Sequence, residues 1–231
     1  MSTAERCFLV AEMSGNHLGM LGRALELIHA AKDVGADGIK FQCFTMDEIL
    51  ALRGTGQAPP PWESMTLPEL YAKVITPHDW FPSLFAESLS VGLTPFASVF
   101  GLDSLAMLES LGCPMYKIAK PERCADWLIA AARQTGKPVL VSGTDIYCPG
   151  GYPCAPDRLR LHELRRPQYR GLSCHCPDLL VGSVAVGYGA QYVEFHLTLD
   201  DGVPTLDDPV NLTASQFRQM VTMVRQAEAM R

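Results

Sequence analysis

Short apolar runs alternate along this chain with longer stretches in which apolar residues recur every three or four positions, and glycine punctuates the change. Phe8-Leu9-Val10-Ala11 reads as a short buried strand, and it closes in the polar turn Glu12-Met13-Ser14-Gly15-Asn16-His17-Leu18-Gly19. Leu21, Ala24, Leu25, Ile28 and Ala31 then share a helical face, Gly35 ends that helix, and Ile39 to Phe44 reads as a strand. The phrase repeats. A helix from about His78 to Val91 stops at Gly92, before the extended Thr94 to Ser98. Another stops at Gly112, before Met115 to Lys120, and one through Trp127, Leu128 and Ala131 stops near Gly136, before Pro138 to Ser142. The helix from Leu179 stops at Gly189, before Tyr192 to His196. Glycine suits these stops because positive φ costs it little. The last helix opens with the capping pattern Thr213-Ala214-Ser215-Gln216 and turns Phe217, Met220, Val221 and Val224 inward.

Repeated helix–glycine–strand units imply parallel strands joined by helical crossovers. A doubly wound sheet and a TIM-type (β/α) barrel both fit. The polar residues favour the barrel: Glu12, Lys40, Gln42, Ser98, Lys117, Ser142, His175 and His196 lie in or just after different strands, mostly near their C-terminal ends. Barrel enzymes gather catalytic groups at that face. A doubly wound sheet would carry a Gly-rich phosphate loop, and neither G-x-G-x-x-G nor a P-loop occurs. Two segments break the rhythm. Asp47 to Pro77, with Pro59-Pro60-Pro61, reads as an irregular excursion or lid. Between Ser142 and Tyr147 there is no room for a crossover, so the barrel is expected to miss or distort one β/α unit. Either seven units form, or Tyr147 to Tyr152 fills the eighth strand position irregularly. Cys148, Tyr152 and Cys154, or a homodimer partner, would then cover the gap.

The composition suits one barrel domain over residues 1–231, with 48% hydrophobic and 19% charged residues. A formal charge of −6 excludes a bulk nucleic-acid binder but not a local anion pocket. No apolar run approaches a membrane span, and Met1 to Cys7 lacks signal-peptide features, so a cytoplasmic, reducing setting is expected. The eight cysteines are then read as thiols. Cys7, Cys43 and Cys113 fit the core, whereas Cys148, Cys154, Cys174 and Cys176 crowd His175 and make a zinc site conceivable, though no C-x-x-C pair is present.

The chemistry-bearing residues are few. His175 and His196 each end a strand-like run, and neutral imidazoles at two neighbouring strand ends can share a divalent ion. Two partnered histidines without a metal fit the same pattern. Lys40 and Lys117 interrupt apolar strands, where a lone ammonium is costly; such lysines bind anions or form Schiff bases. Glu12 could act as acid, base or hydroxyl acceptor, or as a structural charge.

These residues sit in motifs that resemble the sialic acid synthase family of N-acetylneuraminate, pseudaminic and legionaminic acid synthases. The opening strand and turn through Gly19, Gly35-Ala36-Asp37-Gly38-Ile39-Lys40-Phe41-Gln42, Tyr116-Lys117-Ile118, Gly171-Leu172-Ser173 with His175, and Glu194-Phe195-His196-Leu197-Thr198 carry the likeness over nearly the whole chain. The resemblance implies condensation of phosphoenolpyruvate (PEP) with an N-acyl amino sugar or related aldose to give a 2-keto sugar acid. It implies PEP held by Lys40, Lys117, Ser98 and Ser173, with Ser142 in a phosphate-binding turn. It also implies Mn²⁺ or Mg²⁺ on His175 and His196, catalytic roles for Glu12, Lys117 and Asp207 (or its neighbour Asp208), and sugar contacts from Glu122 and Tyr152.

Departures fall on the sugar side. Lys120 replaces a usual serine, Cys174 an aspartate and Gly150 an asparagine, while Ser142-Gly143-Thr144 reorders a phosphate turn. The family's C-terminal antifreeze-like domain is expected to be absent. A Schiff-base aldolase using Lys117 or Lys120, a sugar isomerase, and a non-catalytic sugar- or partner-binding barrel therefore stay open.

Overall fold

β-Branched and aromatic residues in short runs make the strands, and the glycines between helix and strand take the left-handed conformation expected of helix stops, with φ of 88° at Gly35 and 99° at Gly189. In the computed structural model, which describes residues 6–119 and 125–230, eight parallel strands form the barrel. They are β1 (Phe8–Glu12), β2 (Gly38–Cys43), β3 (Thr94–Val99), β4 (Tyr116–Ile118), β5 (Val139–Val141), β6 (Ile146–Tyr147), β7 (Gly171–Ser173) and β8 (Tyr192–Thr198). Their spatial order is β5-β4-β3-β2-β1-β8-β7-β6. A parallel bridge from Ser142 to Ile146 nearly closes the ring. A ninth short strand, β9 (Asn211–Thr213), pairs with the C-terminal end of β8 beyond the reach of β7. Nothing in the hydrophobic pattern announced it.

Helices α1 (Leu21–Asp33), α4 (Phe81–Ser90), α5 (Leu102–Ser110), α6 (Asp126–Gln134), α7 (Leu180–Gly187) and α8 (Ala214–Ala229) surround the strands. The capping box at Thr213 and Gln216 forms, and Phe217, Met220, Val221 and Val224 are buried. The helix expected from His78 begins with a 3-10 turn, His78–Trp80. Cys7, Cys43 and Cys113 are core residues.

The short connection keeps its promise, with one correction. β5 and β6 have no helix between them, and the eighth position is filled by Ile146–Tyr147, not by Tyr147 to Tyr152. Asp145 staples the turn: its carboxylate accepts from Val141 N at 2.9 Å, and its N–H donates to Val141 O at 2.8 Å. After β6 only 3-10 turns, Pro156–Arg158 and Leu161–Arg165, precede β7. Cys148 and Tyr152 face the cavity described below, so they are not wall plugs, while Cys154 is buried and its N–H donates to His175 O at 2.9 Å.

A second correction concerns Asp47 to Pro77. The excursion carries two helices, α2 (Met46–Arg53) and α3 (Leu67–Val74), each opened by a full capping box, Thr45 with Glu48 and Thr66 with Glu69. They bury a small separate core of Phe44, Ile49, Leu70, Tyr71 and Phe100 over the C-terminal end of the barrel. Glu48 also reaches across to accept from Ser104 N at 3.0 Å, capping α5 in trans.

Gly171 shows how closely β7 is pressed against β8. A Cβ there would stand 2.0 Å from the Tyr192 carbonyl oxygen, which is backbone and cannot move aside. Gly171→Ala should therefore destabilise the fold by at least the ~1–3 kcal/mol typical of overpacking; a denaturant midpoint equal to that of the parent would refute this close contact.

Candidate functional site

Residues paired in register on parallel strands project to the same face, and here the register aligns polar side chains around the barrel mouth. Glu12 pairs with both Lys40 and His196, Gln42 with Ser98, Ser98 with Lys117, and Ser173 with Glu194. The excursion roofs them. The result is a cavity of about 390 Å³ whose floor is charged and whose roof is apolar, from Pro59, Trp62, Tyr71 and Val74. That volume lies in the range of small-molecule sites.

Two buried lysines and two buried glutamates form the floor. Lys40 pairs with Glu12 and donates to Ser98 Oγ at 3.0 Å. Lys117 donates to Glu194 Oε1 at 2.5 Å and to Ser173 Oγ at 2.9 Å, and Lys40 Nζ lies 3.7 Å from the same Glu194 oxygen. Tyr192 donates its hydroxyl to the other oxygen of Glu194. Burial opposes ionisation of Glu194, but Lys117 and Lys40 outweigh it and hold the carboxyl well below the usual carboxylate range. Burial draws Lys117 below the ordinary lysine value, with Glu194 pulling the other way. For Lys40 burial acts in the same direction, yet Glu12 and Glu194 together raise it.

Beside this cluster stand the histidines. The rings of His175 and His196 are 5.4 Å apart, and the Tyr152 ring packs at a tilt 4.8 Å from His175. Burial pushes His175 down to about 3, helped by His196 and Lys117, so its imidazole is neutral. Asp207 accepts from the Tyr152 hydroxyl at 2.5 Å and lies 3.7 Å from His196 Nδ1. Burial would raise Asp207, but His196, Ser14 and Tyr152 bring it down to about 2. Both His196 Nδ1 and Asp207 Oδ2 are buried without a hydrogen-bond partner, a cost that native proteins normally avoid. Among the described residues no three His, Cys, Asp or Glu side chains are grouped as a ready-made metal shell.

Glu12, Lys40, Ser98, Lys117, Ser142, Tyr152, Ser173, His175, His196 and Asp207 all line this one cavity. Asp208 instead is exposed and accepts from Thr205. Glu122, and with it Lys120, lies outside the described residues. Asn16 and His17 do not join the site. Asn16 ties β1 to β8 and β9 through Leu197 O and Asn211, and His17 lies beside Thr76 at the base of the excursion. Glu194 is the member that sequence reasoning missed, although it stands two residues before His196 in a strand otherwise apolar at that point.

The sequence model of the NeuB family matches residues 27–145 and 146–231. The chain belongs to the NeuB family. The two matched segments meet between Asp145 and Ile146, where the barrel lacks its crossover helix. Among relatives in this family, the pseudaminic acid synthase of Campylobacter jejuni is 30% identical over 264 aligned positions, which cover 99% of this chain and 76% of that protein. That alignment is longer than the 231 residues here, so the relative carries residues that this family member lacks. The N,N'-diacetyllegionaminic acid synthase of Legionella pneumophila is 28% identical, over 96% of this chain and 72% of its own. Among solved structures, the N-acetylneuraminic acid synthetase of Leptospira borgpetersenii, crystallised with citrate, superposes with a TM-score of 0.86 at 22% identity, covering 98% of this chain and 85% of that one. The likeness supports the TIM-type barrel. Among the described residues no helix is long and apolar enough to cross a membrane.

Proposed function

We propose that this NeuB-family chain condenses PEP with the open-chain aldehyde of an N-acyl amino sugar or related aldose, releasing phosphate and a 2-keto sugar acid. One observation carries the reading: two buried ammonium groups and two serine hydroxyls converge in a cavity that also holds a pair of imidazoles. Lys40 and Lys117, with Ser98 and Ser173, bind the phosphate and carboxylate of PEP, because fixed cations with hydroxyl partners suit a multiply charged anion. Glu12 and Asp207 orient the sugar hydroxyls and the attacking water. PEP C3 bonds to the aldehyde carbon, whose oxygen takes a proton. Water adds its oxygen at C2, and the C2–O bond to phosphate breaks.

A divalent ion, Mn²⁺ or Mg²⁺, fits His175 and His196. One ring is kept neutral by burial, and an imidazole nitrogen and a carboxylate oxygen nearby are buried without partners. When bound it would supply Lewis-acid polarisation of the aldehyde. Against a Schiff-base aldolase stands the Glu194 carboxylate beside Lys117, which favours the ammonium against the pull of burial; borohydride trapping with a keto acid separates the two chemistries.

The test is phosphate release from PEP with Mn²⁺ and a panel of N-acyl amino sugars and simple aldoses. Release that depends on the aldose is expected, and its absence across the panel would sink the reading. For the metal, His175→Ala and His196→Ala should each abolish the rise in Tm that Mn²⁺ gives the parent, since an ion bound only by the folded state stabilises by mass action. An undiminished rise in both variants would dismiss the assignment.

A further inference from the structure

Glu194 places a carboxylate among the donors that an incoming anion needs. Its Oε1 accepts from Lys117 at 2.5 Å and from Ser173 at 3.0 Å, with Lys40 at 3.7 Å, while Tyr192 and the β8 backbone fix its pose. Two ammonium groups and a hydroxyl around one oxygen are the partners that recognise a phosphate or carboxylate oxygen in a buried site. The charge count agrees. Lys40 and Lys117 are balanced by Glu12 and Glu194, so the cluster is neutral as it stands. An ammonium has three N–H donors, and Lys117 already spends two of them on Glu194 and Ser173. One N–H of Lys117 remains, so a phosphate-bearing ligand that takes more than one hydrogen bond from this lysine has to share or take donors that Glu194 and Ser173 hold.

We propose that Glu194 is a built-in counter-anion: it occupies the lysine donors when no ligand is bound, yields them to a phosphate-bearing ligand, and takes them back as phosphate departs. This rests on the reading above that such a ligand binds between Lys40 and Lys117. Glu194 acts through the lysines, so it is a positioning residue. Its carboxylate keeps two neighbouring buried cations compatible with a stable fold. It does so by weakening their grip on external anions, and that weakening lets the product leave. A purely structural carboxylate would behave differently, because its removal would loosen the lysines and could only weaken anion binding.

The experiment is calorimetric titration of the parent and of Glu194→Gln with inorganic phosphate and with PEP, beside thermal melts with and without phosphate. Glu194→Gln is expected to bind inorganic phosphate at least tenfold more tightly than the parent. It should melt lower than the parent without phosphate and gain more in Tm when phosphate is added. Equal or weaker phosphate binding by the variant would overturn the proposal. If Glu194→Gln does not fold, Glu194→Asp, which withdraws the carboxylate by one methylene, should shift affinity in the same direction by a smaller factor; no tightening there would equally overturn it. The two readings fail separately. Tighter phosphate binding with no PEP binding in either protein keeps the counter-anion and removes PEP as substrate. PEP binding by the parent without tightening in the variants does the reverse.

Discussion

Lys117→Met should destabilise the fold by about 3–5 kcal/mol, and Glu194→Gln by a similar amount, because each leaves a buried charge without its partner. The double variant should lose far less than the sum. It removes one cation and one anion together, and Lys40 and Glu12 still pair. Urea denaturation at neutral pH would measure the four corners of this cycle, and a coupling of about 2–3 kcal/mol is expected. Additive single effects would mean that the 2.5 Å contact contributes nothing in solution. Lys117→Met should also weaken PEP binding about ten- to a hundredfold, the loss of one charge-assisted contact of roughly 1.5–3 kcal/mol.

Acidification should loosen the base of the excursion before the carboxylates titrate. His17 is fully buried; its Nδ1 accepts from Gly19 N at 3.0 Å, and its Nε2 lies 3.1 Å from the Thr76 hydroxyl. Burial lowers its pKa from 6.5 to about 4, against weaker opposition from Val74 and Asp207. The folded pKa is depressed, so the contribution is fully present above pH 6.5 and is lost as pH falls towards 4, where the unfolded chain alone takes the proton. The difference corresponds to about 3 kcal/mol. His17→Asn keeps an acceptor for Gly19 and cannot titrate. Its stability should therefore fall less than the parent's between pH 6.5 and 4, as read by denaturant midpoints across that range. Parallel curves for the two proteins would contradict this account.

The alternation of helical and extended segments, and the glycines between them, were legible because each strand buries both faces and each helix one. Lys40, Lys117, His175 and His196 were legible because a charged or titratable side chain in a short apolar run has few inexpensive places to go. Glu194 was not, although it lies in the same strand as His196. What distinguishes it is Lys117, which reaches it only because β4 and β8 stand on opposite sides of the barrel and face each other across its interior. Asn16 and His17 show the converse limit: a polar residue after a strand can turn into the cavity or away from it, and the pattern does not say which. The two helices of the excursion were within reach, since Thr45-x-x-Glu48 and Thr66-x-x-Glu69 are capping boxes. The prolines between them, Pro59 to Pro61, give the segment the composition of a loop. β9 left no trace, because three residues carry too little periodicity to read.

The Asp145 turn has a consequence for how the ring assembles. One seam joins Ser142 to Ile146, neighbours in the chain, whereas the seam between β1 and β8 joins Phe8 to Tyr192. Each doubling of the span to be closed costs only about 0.6 kcal/mol of chain entropy, but several doublings separate these two closures. Non-local pairings of the second kind dominate the search time of a folding chain. Ordinary barrels fold a helix between each pair of consecutive strands; this one closes one such seam within a single turn. Entropy thus favours the staple at Asp145 as an early, local event, and leaves the meeting of the first strand with the eighth as the step on which completion waits.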